Sequence, residues 1–110
     1  MLPSKKRLSR ADFSKFLVSP GAKTVFNQLG TLKYKEAGIS QASVVVSSKI
    51  EKRAVYRNRL RRRLYIIFSL FLKDLSKPRQ YVLYASKQAK TLEYKELKSL
   101  LYDLLQKTAK

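Results

Sequence analysis

The sequence contains no cysteine, histidine or tryptophan, and it has seven acidic residues among 110. Without cysteine the chain forms no disulfides and no thiolate metal sites, and without histidine it lacks the commonest general base and the commonest zinc ligand. These absences exclude most of the catalytic chemistries that protein side chains usually perform.

The few acidic residues are also poorly placed for catalysis by metal ions. Two-metal nuclease chemistry requires carboxylates that converge on ions about 3.5–4 Å apart. Glu93 and Glu96 form an i,i+3 pair, which is interpreted as charge at a helix terminus. The others are scattered along the chain at Asp12, Glu36, Glu51, Asp74 and Asp103. We therefore predict no catalytic residue, no metal site and no cofactor bound by the protein.

Long hydrophobic runs are missing as well. The longest apolar stretch is 64–72, interrupted by Ser69, and it is far shorter than the roughly 18 residues that span a bilayer. The first residues lead straight into Ser4-Lys5-Lys6-Arg7 without the apolar region of a signal peptide. The expected location is the cytoplasm, with no membrane partner.

Positive charge is abundant. Lys and Arg number 25, so the formal net charge is +18, well beyond the magnitude of about 2–8 that solubility requires of a small domain. Such self-repulsion indicates a polyanionic partner. Because 45% of the residues are hydrophobic, the chain is expected to fold, as one domain spanning 1–110.

The first predicted element is a helix that begins near Arg10 and ends at Pro20-Gly21. Its start is supported by a capping residue, a capping-box acid and an apolar staple, which are Ser9, Asp12 and Leu8. Strand-like patterns follow between residues 24 and 48.

The predicted strands differ in character. Apolar and charged residues alternate through 32–36, whereas Val44-Val45-Val46 is a β-branched run suited to a central strand. Gly38 and Ser40 mark the turn between these two strands. A further short strand can form around Val25.

The second half alternates helix, strand and helix. From about Tyr56 apolar residues recur within an arc of about 60°, at Leu60, Leu64, Ile67 and Phe71. Pro78 closes this unit, residues 81–85 predict a buried strand, and Thr91 can cap a final helix. The apolar face of that helix consists of Leu97, Leu100, Leu101 and Leu104. The order α-β-β-(β)-α-β-α predicts a two-layer α+β sandwich.

The densest positive charge lies at the start of the long helix. Arg57/Arg61 and Arg59/Arg63 are like-charge i,i+4 pairs, each destabilising by roughly 0.2–0.5 kcal/mol, and they lie at the positive end of the helix dipole. A merely solvated face would intersperse Glu. Phosphates would relieve both penalties, so we predict a nucleic-acid surface. It consists of Lys52, Arg53, Arg57, Asn58, Arg59, Arg61, Arg62 and Arg63. The Asn58 side chain is suited either to hydrogen-bonding a base edge or a 2′-hydroxyl of RNA, or to capping the helix.

Residues 54–62, AVYRNRLRR, resemble the RNR signature of bacterial ribonuclease P protein components. Shorter elements of that family are matched in the same order by Arg7-Leu8 with Asp12-Phe13, by Val45 to Lys49, and by Tyr94 to Leu97. Two features depart from the family pattern. The glycine usual in the loop before the motif is absent from 50–53, and Tyr65-Ile66 replaces a common Arg-Glu pair.

The resemblance implies a ribosomal-protein-like fold with a left-handed βαβ crossover between the Val44 and Tyr81 strands, against the general right-handed preference. It implies a subunit of an endoribonuclease that removes the 5′ leader of precursor tRNA. The partners are then a catalytic RNA subunit and precursor tRNA, and Mg²⁺ is held by that RNA and the substrate. Lys49 joins the RNA-binding residues on the same ground.

Three aromatic residues are candidates for binding the leader. Phe13 and Phe16 lie three apart on the first helix and Tyr34 lies on a neighbouring strand, so all three could face one groove. Aromatic residues at this spacing are more often core. The resemblance implies that the cleft between the first helix and the sheet receives the leader, with Phe13, Phe16 and Tyr34 as the matching residues.

Other functions share some of these features. A ribosomal or other structural RNA-binding protein would have the same charge, size and fold class without a preference for precursor tRNA. A nuclease acting without RNA is disfavoured by the missing histidine and the scattered carboxylates. DNA binding in vitro is also expected, because phosphate attraction does not distinguish the polymers.

Overall fold

The computed structural model describes residues 10–18, 21–38, 40–72 and 78–108. Within these ranges the chain forms three α-helices, four strands and a short 3₁₀ helix. Their order is α1 (Arg10–Val18), β1 (Lys23–Asn27), β2 (Gly30–Glu36), β3 (Gln41–Val45), α2 (Ala54–Leu72), β4 (Arg79–Ala85), the 3₁₀ helix (Lys87–Thr91) and α3 (Tyr94–Thr108). This is the predicted α+β order, and it includes the short strand around Val25.

The four strands form one sheet in the order β1-β2-β4-β3. β1 and β2 form an antiparallel hairpin, β2 pairs antiparallel with β4, and β3 pairs parallel with β4. The prediction that Val44 to Val46 form a central strand is wrong, since β3 is an edge strand and ends at Val45. Val44 is buried on the side where α2 packs on β3, whereas Val45 is half-buried. The crossover from β3 through α2 joins parallel neighbours, and its left-handedness stays a prediction.

The core lies between one face of the sheet and the helices α2 and α3. Leu32, Tyr81 and Leu83 are fully buried on this face, as are Leu64 and Ile67 of α2. The other buried residues of α2 are Leu60, Tyr65, Phe68 and Leu72, while Phe71 is partly buried. The predicted apolar face of α3 is confirmed, with Leu97, Leu101 and Leu104 fully buried and Leu100 partly buried. No helix in the described ranges has the length and apolarity to cross a membrane.

The helix starts differ from two predictions. α2 begins at Ala54, two residues before the predicted start. Thr91 does not cap α3, because it ends the 3₁₀ helix and its hydroxyl donates to the Gln88 carbonyl. Instead the Glu93 N–H donates to the Glu96 carboxylate at 3.3 Å, in the manner of a capping box. This confirms that Glu93 and Glu96 mark a helix terminus.

α1 spans the predicted helix and ends at Val18, with Gly21 in the left-handed region at φ 91°. The predicted cap Ser9 and staple Leu8 lie outside the described residues. Gly30, at the start of β2, is required by close packing. A Cβ there would lie 2.1 Å from the Tyr84 carbonyl oxygen, and φ is +152°.

Both edge strands have backbone groups bonded to side chains from the helices. The Val44 N–H of β3 donates to the Tyr65 hydroxyl of α2 at 3.1 Å. The Phe26 carbonyl of β1 accepts from Lys107 of α3 at 3.0 Å. Each bond also attaches an edge of the sheet to the helical layer.

Candidate nucleic-acid interface

The predicted basic surface occupies the first three turns of α2 and the loop before it. α2 has no acidic residue in its first turn. Most of its cations are exposed to solvent and Arg57 is half-buried; the exposed ones are Lys49, Lys52, Arg53, Arg59, Arg61, Arg62 and Arg63. In the described part of the chain, none of the α2 arginines lies within 4.0 Å of a carboxylate. These charges therefore remain available to an external anion.

A buried carboxylate shapes the loop before α2. The Glu51 side chain is 9% exposed, and its Oε1 accepts from the Arg53 Nε at 2.9 Å and from the Arg53 N–H at 3.2 Å. Its Oε2 lies 3.8 Å from the Lys90 ammonium of the 3₁₀ helix. The hydrogen bond from the Arg53 side chain is the main reason that the pKa of Glu51 is lowered. Glu51 thus attaches the loop to a segment almost 40 positions later.

Arg57 has a structural role in addition to its charge. Its Nη1 donates to the Glu51 carbonyl at 2.9 Å and to the Lys52 carbonyl at 2.8 Å. The guanidinium therefore folds back onto the loop that enters α2. This contact fixes the direction in which the helix begins.

Asn58 lies within α2, which excludes the capping role considered for it. The helix begins four residues earlier, and the Asn58 Oδ1 accepts a hydrogen bond from the Arg61 Nη2. Both side chains are exposed. The pair presents amide and guanidinium donors side by side on the helix surface.

Tyr56 carries two guanidinium groups close to its ring. The Arg53 Cζ is 4.1 Å and the Arg59 Cζ 5.3 Å from the ring centroid. Both distances are within the range of cation–π attraction. Tyr56 itself is 42% exposed.

A cleft of about 420 Å³ separates this part of α2 from the 3₁₀ helix. We call it the α2–3₁₀ cleft. Four cations line it, namely Arg53, Arg59, Arg63 and Lys90, and Leu60 and Leu92 supply an apolar floor. Sequence reasoning missed Lys90, because no motif connects it with the basic helix. The fold brings it there through the Glu51 ion pair.

The three aromatic candidates do not share one groove. Phe16 is 2% exposed, and the Lys35 ammonium lies 5.2 Å from its ring centroid. Tyr34 is 8% exposed and stacks on Tyr81 in the core. Because neighbouring strand residues point to opposite faces, Tyr34 and the Lys35–Phe16 pair lie on opposite sides of the sheet. The expectation of a common groove is therefore wrong. Phe13 is half-buried.

The sheet face away from α2 and α3 carries a second set of polar and aromatic residues. Lys33, Lys35 and Tyr84 are half-buried there, and the Lys33 ammonium lies 5.6 Å from the Tyr84 ring centroid. Burial raises the pKa of Tyr84. The contact between Lys35 and Phe16 places α1 over this face. Sequence reasoning missed Lys33 and Tyr84, because the alternation of apolar and polar residues along a strand does not show which face of the sheet is exposed to solvent.

The acidic side chains do not assemble a metal centre within the described ranges, where no three of them come together in a group that could hold an ion. Glu51 is paired with Arg53 and Lys90, and Asp103 with Lys107 and Asn27. These carboxylates stabilise contacts between elements of the fold.

Comparison with known proteins points to one family. The family model of ribonuclease P matches residues 2–109. A ribonuclease P protein component from Pseudanabaena sp. (strain PCC 6903) is 33% identical over 109 residues, covering 97% of this chain and 94% of the relative.

Solved structures agree on the fold. A Staphylococcus aureus RNase P protein mutant with defective mRNA degradation activity superposes with a TM-score of 0.83 at 18% identity, covering 96% of this chain and 90% of that one. The RNase P protein from Thermotoga maritima gives a TM-score of 0.78 at 23% identity, covering 92% of this chain and 96% of that one. The match along nearly the whole sequence, with the basic helix at its centre, shows that this chain belongs to the ribonuclease P protein family.

Proposed function

We propose that the chain is the protein subunit of a ribonuclease P in the cytoplasm. It binds the catalytic RNA and the 5′ leader of precursor tRNA, and assists the magnesium-dependent cleavage that produces the mature tRNA 5′ end. The observation that carries this proposal is the exposed basic surface of α2, whose arginines have no carboxylate partner in the described part of the chain.

The basic surface of α2 is suited to the RNA subunit. Arg59, Arg62 and Arg63 are exposed on one helix, so their guanidinium groups form a closely spaced cationic array. Guanidinium groups contact phosphate in bidentate fashion and stack on bases. Each phosphate contact releases counterions, so affinity falls steeply with salt.

The leader is assigned to the other side of the sheet, between α1 and the strands. Lys33 and Lys35 supply positive charge there, the half-buried Tyr84 ring lies beside Lys33, and α1 contributes the half-buried Phe13. A single strand needs this combination of backbone charge and ring surface. Phe16 supports the site by packing, because its ring is buried beside Lys35, whereas Tyr34 is buried in the core on the opposite side of the sheet.

Catalysis is assigned to the RNA subunit. That RNA and the substrate hold the Mg²⁺ ions, which activate water and stabilise the charge of phosphodiester hydrolysis. The cations of the protein reduce the repulsion between catalytic RNA and precursor. The protein subunit should therefore lower the magnesium or salt that the reaction requires.

The test is cleavage of a labelled precursor tRNA by RNA-free protein, by catalytic RNA alone, and by the two together. We expect no cleavage by the protein, and leader release by the mixture at lower magnesium than RNA alone requires. Cleavage by the protein alone would refute the division of roles. Binding to the catalytic RNA without any effect on cleavage would instead favour a structural RNA-binding protein.

A further inference from the structure

We propose that the α2–3₁₀ cleft binds one unpaired nucleotide of RNA, with its phosphate between Arg59, Arg63 and Lys90 and its base beside Tyr56. The inference rests on the proposed function, since it names a site for RNA within the same basic surface. In this site Lys90 contacts the phosphate, Tyr56 contacts the base, and Glu51 is a positioning residue.

The composition of the cleft favours a nucleotide over a bare phosphate. Phosphate binding would need the cations alone, yet the cleft also has the exposed Tyr56 ring and the apolar floor of Leu60 and Leu92. Its volume of about 420 Å³ is within the range of about 300–1,000 Å³ typical of small-ligand pockets. Unpaired RNA bases stack on aromatic rings and on guanidinium planes, and both are present here.

The cleft is assembled by contacts that exist without RNA. Glu51 accepts hydrogen bonds from the backbone and side chain of Arg53, which lies 4.1 Å from the Tyr56 ring centroid. Lys90 lies on the opposite wall of the cleft, and its ammonium is 3.8 Å from the same Glu51 carboxylate. Arg53 contacts Glu51 through Nε, and within the described ranges its two outer nitrogens form no hydrogen bond, so they can contact a phosphate or a base. Glu51 therefore preorganises two cations from different segments.

The experiment compares complexes of the full-length protein with its catalytic RNA. The variants are Lys90→Ala, Tyr56→Leu and Tyr56→Phe, with Lys98→Ala as the control. Lys98 is an exposed α3 lysine that does not line the α2–3₁₀ cleft, so its variant loses the same charge elsewhere. Two quantities are measured, namely the affinity as a function of salt and the reactivity of each RNA base toward a base-modifying reagent.

Tyr56→Leu should weaken binding about 5- to 150-fold if a base stacks on the ring, whereas Tyr56→Phe should retain the affinity. Lys90→Ala should flatten the log–log salt slope by about 0.7–0.9. In the wild-type and Lys98→Ala complexes one unpaired base, or a short run of them, should be protected. That protection should be lost in Tyr56→Leu and weakened in Lys90→Ala. Since Tyr56 is an exposed side chain, thermal unfolding should show intact variants.

Two results would overturn the inference. If Lys90→Ala weakens binding and Tyr56→Leu does not, the cleft contacts backbone phosphate only. If neither variant differs from Lys98→Ala, the cleft is not an RNA site. In that case Arg61→Ala tests the proposed function separately. If this variant binds the catalytic RNA more weakly than the wild type, the α2 surface is still the RNA-binding site and only the cleft is excluded. If alanine substitution of each α2 arginine, Arg61 included, leaves binding to the catalytic RNA normal, the proposed RNA surface is refuted.

Discussion

Two arginines of α2 should respond to alanine substitution in opposite directions. Arg57 donates two hydrogen bonds to loop carbonyls, whereas Arg62 is exposed and forms no hydrogen bond or ion pair with the described residues. One bond of Arg57 is partly buried, so its removal should cost about 1–2 kcal/mol of unfolding free energy. Relief of the repulsion with Arg61 returns about 0.2–0.5 kcal/mol. The net loss of about 1 kcal/mol should lower the melting temperature by roughly 4–8 °C.

Arg62→Ala should leave the melting temperature unchanged or raise it slightly. The substitution removes an i,i+3 repulsion with Arg59 and introduces the residue with the highest helix propensity. Both variants should nevertheless flatten the salt slope of catalytic RNA binding by about 0.7–0.9, if each arginine contacts a phosphate. Calorimetry and salt-dependent binding separate the two effects. An unchanged melting temperature for Arg57→Ala, or an unchanged slope for Arg62→Ala, would refute the respective role.

Four further substitutions test other parts of the structure. Phe13→Leu should weaken the holoenzyme's binding of precursor by about 1–3 kcal/mol and leave mature tRNA unaffected, while Phe16→Leu should chiefly lower the melting temperature; equal losses for both tRNAs would argue against a leader contact. The pKa of Glu51 is lowered in the folded state, so its carboxylate contributes stability that is present above pH 4.5 and is lost as the pH falls below that value. Glu51→Gln should abolish this contribution, so the free energy of unfolding measured with urea should fall less steeply with decreasing pH in the variant than in the wild type. An equally steep fall in both proteins would contradict this role of Glu51. Gly30→Ala should reduce stability more than an ordinary surface substitution, because the new methyl group meets the Tyr84 carbonyl, and a melting temperature equal to that of the wild type would refute this.

The order of helices and strands could be predicted from the sequence, because the spacing of apolar residues shows which side chains of each element are buried. Leu60, Leu64 and Ile67 face the core as their spacing predicts, and β4 is the buried strand that residues 81–85 indicate. Strand order could not be predicted in this way. The valine run at the end of β3 is typical of a central strand, but α2 packs on this edge strand and Val44 is buried there without a second neighbouring strand.

The candidate site was predictable to the extent that it is local in sequence. The basic residues of α2 follow one another along the chain, so their charge density is visible without a structure. Lys90 reaches the same site through tertiary contacts with Glu51, for which no local pattern exists. Tyr34 was misplaced for a related reason. Alternation shows that it differs from Lys35 in orientation, but it does not tell which face α1 covers.

The side-chain bonds at the two sheet edges bear on whether copies of this protein can join through their strands under the proposed RNA-bound conditions. In the free chain a charge of +18 keeps copies apart. If the chain binds RNA as proposed, the RNA would neutralise that repulsion and bring copies of the protein close together, and unpaired strand edges would then be able to join. The Tyr65 hydroxyl and the Lys107 ammonium already occupy a donor of β3 and an acceptor of β1, respectively. These two bonds therefore hinder strand addition at one position on each edge, independently of the net charge.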